Sequence, residues 1–199
     1  MKSFEKLDLN KLKGELAFGG IDLASVSDET AVNLMFPPNP EREYYPDKYI
    51  FYSRAYLPED ALVNSPNADF YKKAKMAGHL YTTPGNVTDY DFILRDLIDF
   101  NNDYVLEKVA YDAYNSSQFV INAQDSGLMM EPFAQGLGSF NRATKEFERL
   151  ILSGKVVIDG NVVTRWNFAN VVIKEDNNFN TKPIKNNKQQ KIDIVIAML

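Results

Sequence analysis

The chain has 199 residues, 45% of them hydrophobic, and a net charge of −5 from 27 acidic and 22 basic side chains. That length and apolar content suit one domain with a sizeable core. With no cysteine and His79 as the single histidine, disulfides, zinc thiolates, cysteine nucleophiles and three-histidine zinc sites are ruled out.

Residues 1–14 are charged and weakly periodic, and are expected as a linker or lead-in segment ahead of a domain spanning 15–199. Leu16–Leu23 reads as a buried strand, 25–30 as a polar turn, and Thr30–Phe36 as a second strand ended by Pro37 and Pro38. The aromatic, β-rich run Tyr49–Tyr56 makes a third, and short turns between sequential strands suggest an antiparallel meander. Ser65 and Pro66 supply a cap and a first-turn proline for a helix over 68–76, stopped by Gly78. Thr88 with Asp91 resembles a capping box before the apolar face of Ile93, Leu94, Leu97 and Ile98.

Val105–Tyr111 is expected as a fourth strand with Asp112 at its end, followed by a helix capped by Asn115 and Gln118 and running to about Asp125. A strand over Leu128–Pro132 follows, paired in parallel through a right-handed crossover. Ser139 opens a helix in which Ala143, Phe147, Leu150 and Ile151 keep helical spacing up to Gly154. Asp159-Gly160, between Val156–Ile158 and Val162-Val163, reads as a tight hairpin, and Asn177-Asn178 turns a second. By propensity Ile192–Leu199 is a β-branched strand. No apolar run reaches the ~20 residues of a membrane span, and the first residues lack a signal-peptide core, so a soluble cytosolic chain with no membrane partner is expected.

Three aspartates, Asp22, Asp112 and Asp193, each follow an apolar run. Carboxylates converging at the rim of a sheet repel one another unless a divalent cation neutralises them, and hard oxygens suit magnesium or manganese. Singly, each is an ordinary turn or cap residue, so the ordered set carries the reading. Asp28, in Ser27-Asp28-Glu29-Thr30, reads as hairpin chemistry, and Asp159 as part of its Asp-Gly turn. Lys182, Lys185, Lys188 and Lys191 form a basic stretch before Asp193, where phosphate contact is useful. Tyr44, Tyr45, Tyr111 and Tyr114 are candidates for base stacking, though most aromatic residues read as packing. The acidic balance argues against a passive nucleic-acid clamp, but bound cations reverse the local potential of a metal-dependent nuclease.

Gly20-Ile21-Asp22-Leu23-Ala24-Ser25 with Asp28-Glu29-Thr30-Ala31, then Tyr111-Asp112, Gln135-Gly136, Asn170, Lys185 and Lys191-Ile192-Asp193, in this order, resemble the nuclease domain of the large terminase subunit of tailed bacteriophages. The resemblance spans about residues 16–199. One departure is Ile194, where the family usually has a small residue after its third aspartate.

The resemblance implies an RNase H-like α/β fold, with a central mixed sheet of a three-strand antiparallel meander plus parallel strands, flanked by helices. It implies a divalent-metal-dependent DNA endonuclease that cuts concatemeric viral DNA during genome packaging in the host cytoplasm. Asp22, Asp112 and Asp193 match the family's catalytic and metal-binding triad, holding two magnesium or manganese ions, with Asp22 bridging both. It also makes Ile192–Leu199 a helix, against propensity. The implied partners are double-stranded DNA, a terminase ATPase domain, the small terminase subunit and the portal. No Gly-x4-Gly-Lys-[Ser/Thr] loop is present, so a nuclease domain separated from its motor is expected. Alternatives are another RNase H-like nuclease, such as a junction resolvase, and a non-catalytic docking module.

Overall fold

The computed structural model describes residues 3–23, 28–113 and 117–199. Its strands are β1 (Phe4–Glu5), β2 (Leu16–Asp22), β3 (Thr30–Phe36), β4 (Tyr49–Pro58), β5 (Tyr81–Thr83), β6 (Val105–Tyr111), β7 (Met130–Pro132), β8 (Val156–Asp159), β9 (Val172–Glu175) and β10 (Thr181–Ile184). Its helices are α1 (Ala61–Asn64), α2 (Ala68–Met76), α3 (Tyr90–Asp103), α4 (Ser117–Asp125), α5 (Leu137–Leu152), α6 (Val162–Asn170) and α7 (Asp193–Met198).

An 8-stranded mixed sheet runs in the order β1-β8-β4-β3-β2-β6-β7, with β5 beside β4. The β2–β3 and β3–β4 pairs are antiparallel, forming the expected meander, while β6 joins β2 in parallel and β7 joins β6 in parallel. The period-2 alternation of strand side chains builds two cores. From β4, Ile50 and Tyr56 enter the core under α3 and α4, whereas Phe51, Ala55 and Leu57 enter the one under α2, α5, α6 and α7. Ile93, Leu97 and Phe100 are the buried stripe of α3, each worth about 1.5–3 kcal/mol of apolar burial. Within the expected lead-in, β1 pairs with β8, and Leu12 is fully buried.

Several local expectations are corrected. Val162 and Val163 do not form the return strand of a hairpin at Asp159-Gly160; they open helix α6. The Asn161 side chain accepts a hydrogen bond from Thr164 N at 2.8 Å, and this cap decides the conformation against the β-branched pair. The α3 cap is Asp89, which accepts from the backbone N–H groups of Asp91 and Phe92, so Thr88 is one residue early. Helix α2 starts at Ala68, after Asn67, with Ser65 Oγ accepting from Asn67 N in the turn before it, so Pro66 is not its first residue. Helix α5 opens at Leu137, two residues before Ser139. A loop over 37–48, rather than a short turn, joins β3 to β4. The turn at Asn177-Asn178 does join an antiparallel hairpin, β9–β10. The expected cap at Asn115 and part of the 25–30 turn lie outside the described residues.

Helix α7 overturns the propensity reading of Ile192–Leu199 as a strand and agrees with the resemblance. It is held at its N-terminus from another helix: Asn167 Oδ1 accepts from Ile194 N at 3.1 Å, and Asn170 Nδ2 donates to Lys191 O at 3.0 Å. Tertiary hydrogen bonds and full burial of Ile194 thus decide what β-branched chemistry alone assigns the other way.

Candidate metal centre

Parallel pairing of β2 with β6 sets Ile21 against Tyr111, so Asp22, the last residue of β2, and Asp112, the residue after β6, leave the same end of neighbouring strands. The carboxyl end of parallel strands is where α/β sheets open a crevice. Asp193 arrives from α7, which lies on β2 and β3. The approach is close because Gly20 has no side chain; a Cβ there would stand 2.0 Å from the Ala197 carbonyl oxygen. Gly20 and Asp22 share a face of β2 by strand alternation, so α7 packs on the face from which Asp22 projects.

Burial, then the charge of Asp193, push the Asp22 carboxyl up to about 7, with Asp112 adding to the repulsion; a hydrogen bond from Gln135 acts the other way. Gln135 Nε2 donates to Asp22 Oδ1 at 3.3 Å, and Lys182 Nζ donates to the Gln135 carbonyl oxygen at 2.7 Å, fixing that loop. Burial, then the charge of Asp28, raise Asp193 to about 6. Burial, then the charge of Asp193, hold Glu29 well above the usual carboxylate range. Burial also acts upward on Asp28, but its hydrogen bond and ion pair with Lys191, together with Lys185, outweigh it and hold that carboxyl low.

Asp28 therefore does more than make a turn. Its Oδ1 accepts from Glu29 N at 2.9 Å, as turn chemistry requires, but it also pairs with Lys191 and, at 3.6 Å, with Lys185. Among the other candidates, Asp159 accepts from Asn161 Nδ2 at 2.6 Å, and His79 Nδ1 accepts from Val162 N at 3.4 Å. Both line a separate cleft with Glu5 and Arg165, one that contains none of the three aspartates. Tyr44 and Tyr45 pack on each other with ring centroids 4.6 Å apart. Tyr114 lies outside the described residues.

The donor set fits a hard cation. Asp193 Oδ2 is buried without a hydrogen-bond partner, and so is Glu29 Oε2; buried carboxylate oxygens left in that state are costly unless something positive meets them. Raised carboxyls in mutual repulsion make the same demand. Among the described residues, no group of three or more His, Cys, Asp or Glu side chains stands in an arrangement that could by itself hold a metal ion. The fit therefore rests on donor chemistry and the orphaned oxygens.

Glu29 and Asn167 escaped the sequence reading. Glu29 stands beside Asp28 in a run that looks like surface turn, and the only available signal for Asn167 was an amide in the apolar context of 162–168.

The sheet order and flanking helices define an RNase H-like nuclease fold. The sequence profile of the terminase large subunit, endonuclease domain, matches residues 3–199, and the chain belongs to this family. It is 32% identical over 123 residues to the large terminase subunit of Enterobacteria phage HK97, covering 61% of this chain and 24% of that one. To Protein YmfN of Escherichia coli strain K12 it is 25% identical over 202 residues, covering 98% of this chain and 44% of the relative. The chain thus spans less than half the length of both curated relatives. The crystal structure of the HK97 large terminase superposes with a TM-score of 0.83 at 25% identity, over 99% of this chain and 40% of that one. The large terminase nuclease of thermophilic phage G20c, solved with bound magnesium, shares the fold with a TM-score of 0.60 at 10% identity, over 94% of this chain and 81% of that one.

Proposed function

We propose that this chain is a divalent-metal-dependent DNA endonuclease that cuts concatemeric viral DNA during packaging, with Asp22, Asp112 and Asp193 as catalytic carboxylates. The single observation that supports this is the placement of the three carboxylates: Asp22 and Asp112 follow register-paired residues at the same end of β2 and β6, and Asp193, its Oδ2 unpartnered, opens the helix packed on β2. Magnesium in the G20c nuclease supports the choice of a hard cation. The functional unit is proposed as residues 15–199 together with β1 and Leu12 of the preceding segment, which pack onto it.

Asp22, Asp112 and Asp193 would hold two magnesium or manganese ions. When bound, the ions supply an activated water and neutralise the leaving 3′ oxygen of the scissile phosphodiester. Gln135 orients the Asp22 carboxylate through its hydrogen bond, and Lys182 steadies Gln135. Lys185 and Lys191, beside the carboxylates, supply positive charge at the rim where a phosphate backbone would lie. Double-stranded DNA is the substrate, delivered by a terminase ATPase motor with the small subunit and portal as assembly partners, in the host cytoplasm. Among the described residues, no helix is long and apolar enough to cross a membrane.

Incubation of supercoiled plasmid with the purified chain tests this directly. Nicking and linearisation are expected with magnesium or manganese and not in EDTA, and Asp22→Asn is expected to abolish both while remaining folded. Cleavage that survives EDTA after repurification, or full activity in Asp22→Asn, rejects the reading.

A further inference from the structure

Asn167 sits in the interior of α6, fully buried, where an apolar residue would pack at lower cost. Asparagine is a poor interior helix residue, and burial of its amide is unfavourable unless the amide is bonded. Its three bonds run to the residue before β3, to its own helix and to α7. Nδ2 donates to Glu29 Oε1 at 2.9 Å and to Val163 O at 3.2 Å, and Oδ1 accepts from Ile194 N at 3.1 Å.

The destinations matter more than the number. Glu29 immediately precedes β3, and Ala31 of β3 is the register partner of Asp22. Ile194 immediately follows Asp193 in the first turn of α7, whose own N-cap residue Ile192 makes no side-chain capping bond. The amide therefore links the ladder that carries Asp22 to the helix that carries Asp193. The one side chain spans two elements that approach from different parts of the chain.

We propose that Asn167 is a positioning residue for the metal centre, fixing the separation of Asp22 and Asp193 through its bonds to Glu29 and to the Ile194 N–H. It touches no substrate and acts only through those partners. The inference rests on the reading of Asp193 as a metal ligand. Outer partners of metal ligands commonly carry 10–100-fold in metal affinity.

The test is manganese binding to the whole chain, measured by calorimetry and by the loss of the free-manganese electron paramagnetic resonance signal. Asn167→Ala is expected to bind manganese about tenfold or more weakly. Leu97→Ala removes buried volume from the core on the other face of the sheet and controls for lost stability; its affinity should stay within about threefold of wild type. If Asn167→Ala does not fold, Asn167→Ser, too short to bridge both partners, takes its place with the same expected loss. Wild-type affinity in the Asn167 variant, or an equal loss in Leu97→Ala, overturns the positioning role. Asp193→Asn separates the two levels: if it binds manganese like wild type, the ligand reading fails and the positioning role falls with it. If only Asp193→Asn loses affinity, the ligand reading stands and the positioning role fails.

Discussion

Gly20 and Ala197 meet so closely that any side chain on Gly20 collides with the Ala197 carbonyl, the missing Cβ lying 2.0 Å from that oxygen. The clash is with backbone, so no rotamer change relieves it. Gly20→Ala should push α7 away from β2 and destabilise the fold by about 1–3 kcal/mol. Because Asp193 opens the same helix, cleavage should fall by about a hundredfold or more in protein that is still folded at the assay temperature. A Gly20→Ala chain with wild-type melting and cleavage would show that α7 does not depend on this approach.

The raised carboxyls predict an unusual stability profile in the absence of metal. Asp22 at about 7 and Asp193 at about 6 lie above the ordinary value of 3.8, so between these values the folded chain binds more protons than the unfolded chain. Stability in EDTA should therefore be highest near the acidic end of that window and fall as pH rises through about 7, by a few kcal/mol at most because both groups keep some solvent contact. Carboxyls held low, such as Asp28, are ionised in folded and unfolded chains alike above about pH 5 and leave this slope unchanged. Melting curves in EDTA at about pH 5.5 and pH 8 measure the effect. Asp22→Asn should flatten the slope and melt higher than wild type at the alkaline end; a wild-type melting point that rises with pH across this window contradicts the origin assigned to it.

The meander and the parallel crossover from β6 to β7 were legible because apolar runs of strand length, bounded by proline and polar turns, leave few other conformations open. The positions of Asp22 and Asp112 followed from that, since both stand at strand ends. Helices α6 and α7 were not legible from propensity. Both carry β-branched residues in their first turn, and what makes them helical is an Asn161 cap in one case and an amide from a different helix in the other. Glu29 was hidden for a related reason. Nothing local distinguishes it from a solvated turn acid; it is buried in the tertiary fold, where Asn167, 138 residues away in sequence, meets it.

Lys185 and Lys191 are held by Asp28, so their contribution to DNA binding should be readable in salt dependence. With a net charge of −5 the isolated chain should bind duplex DNA weakly and with steep salt dependence. Lys185→Ala and Lys191→Ala should each reduce the slope of log affinity against log salt by about 0.9, the value for one phosphate contact. Unchanged slopes in fluorescence-anisotropy titrations would assign both lysines to the Asp28 pairs alone.

Asp193 is the sharpest test of the proposed ligand set, because it enters the site from a helix that β-branched propensity opposes. Its buried Oδ2 makes no hydrogen bond, and its replacement relieves burial of a charge and repulsion by Asp28 at the loss of attraction to Lys185 and Lys191 and of a local backbone hydrogen bond. Asp193→Ala should therefore fold, bind manganese more weakly and cleave plasmid slower by orders of magnitude. Calcium offers a complementary measurement on the unaltered chain: it should bind, seen as a rise in melting temperature, yet support no cleavage. Its longer bonds and looser, higher coordination misplace the oxygens that magnesium holds at ~2.1 Å in near-octahedral geometry. Calcium-supported cleavage at the magnesium rate would mean that ion geometry is not limiting. An Asp193→Ala chain as active as wild type would transfer its proposed role to another carboxylate, for which Glu29, also buried with an unpartnered oxygen, is the nearest candidate.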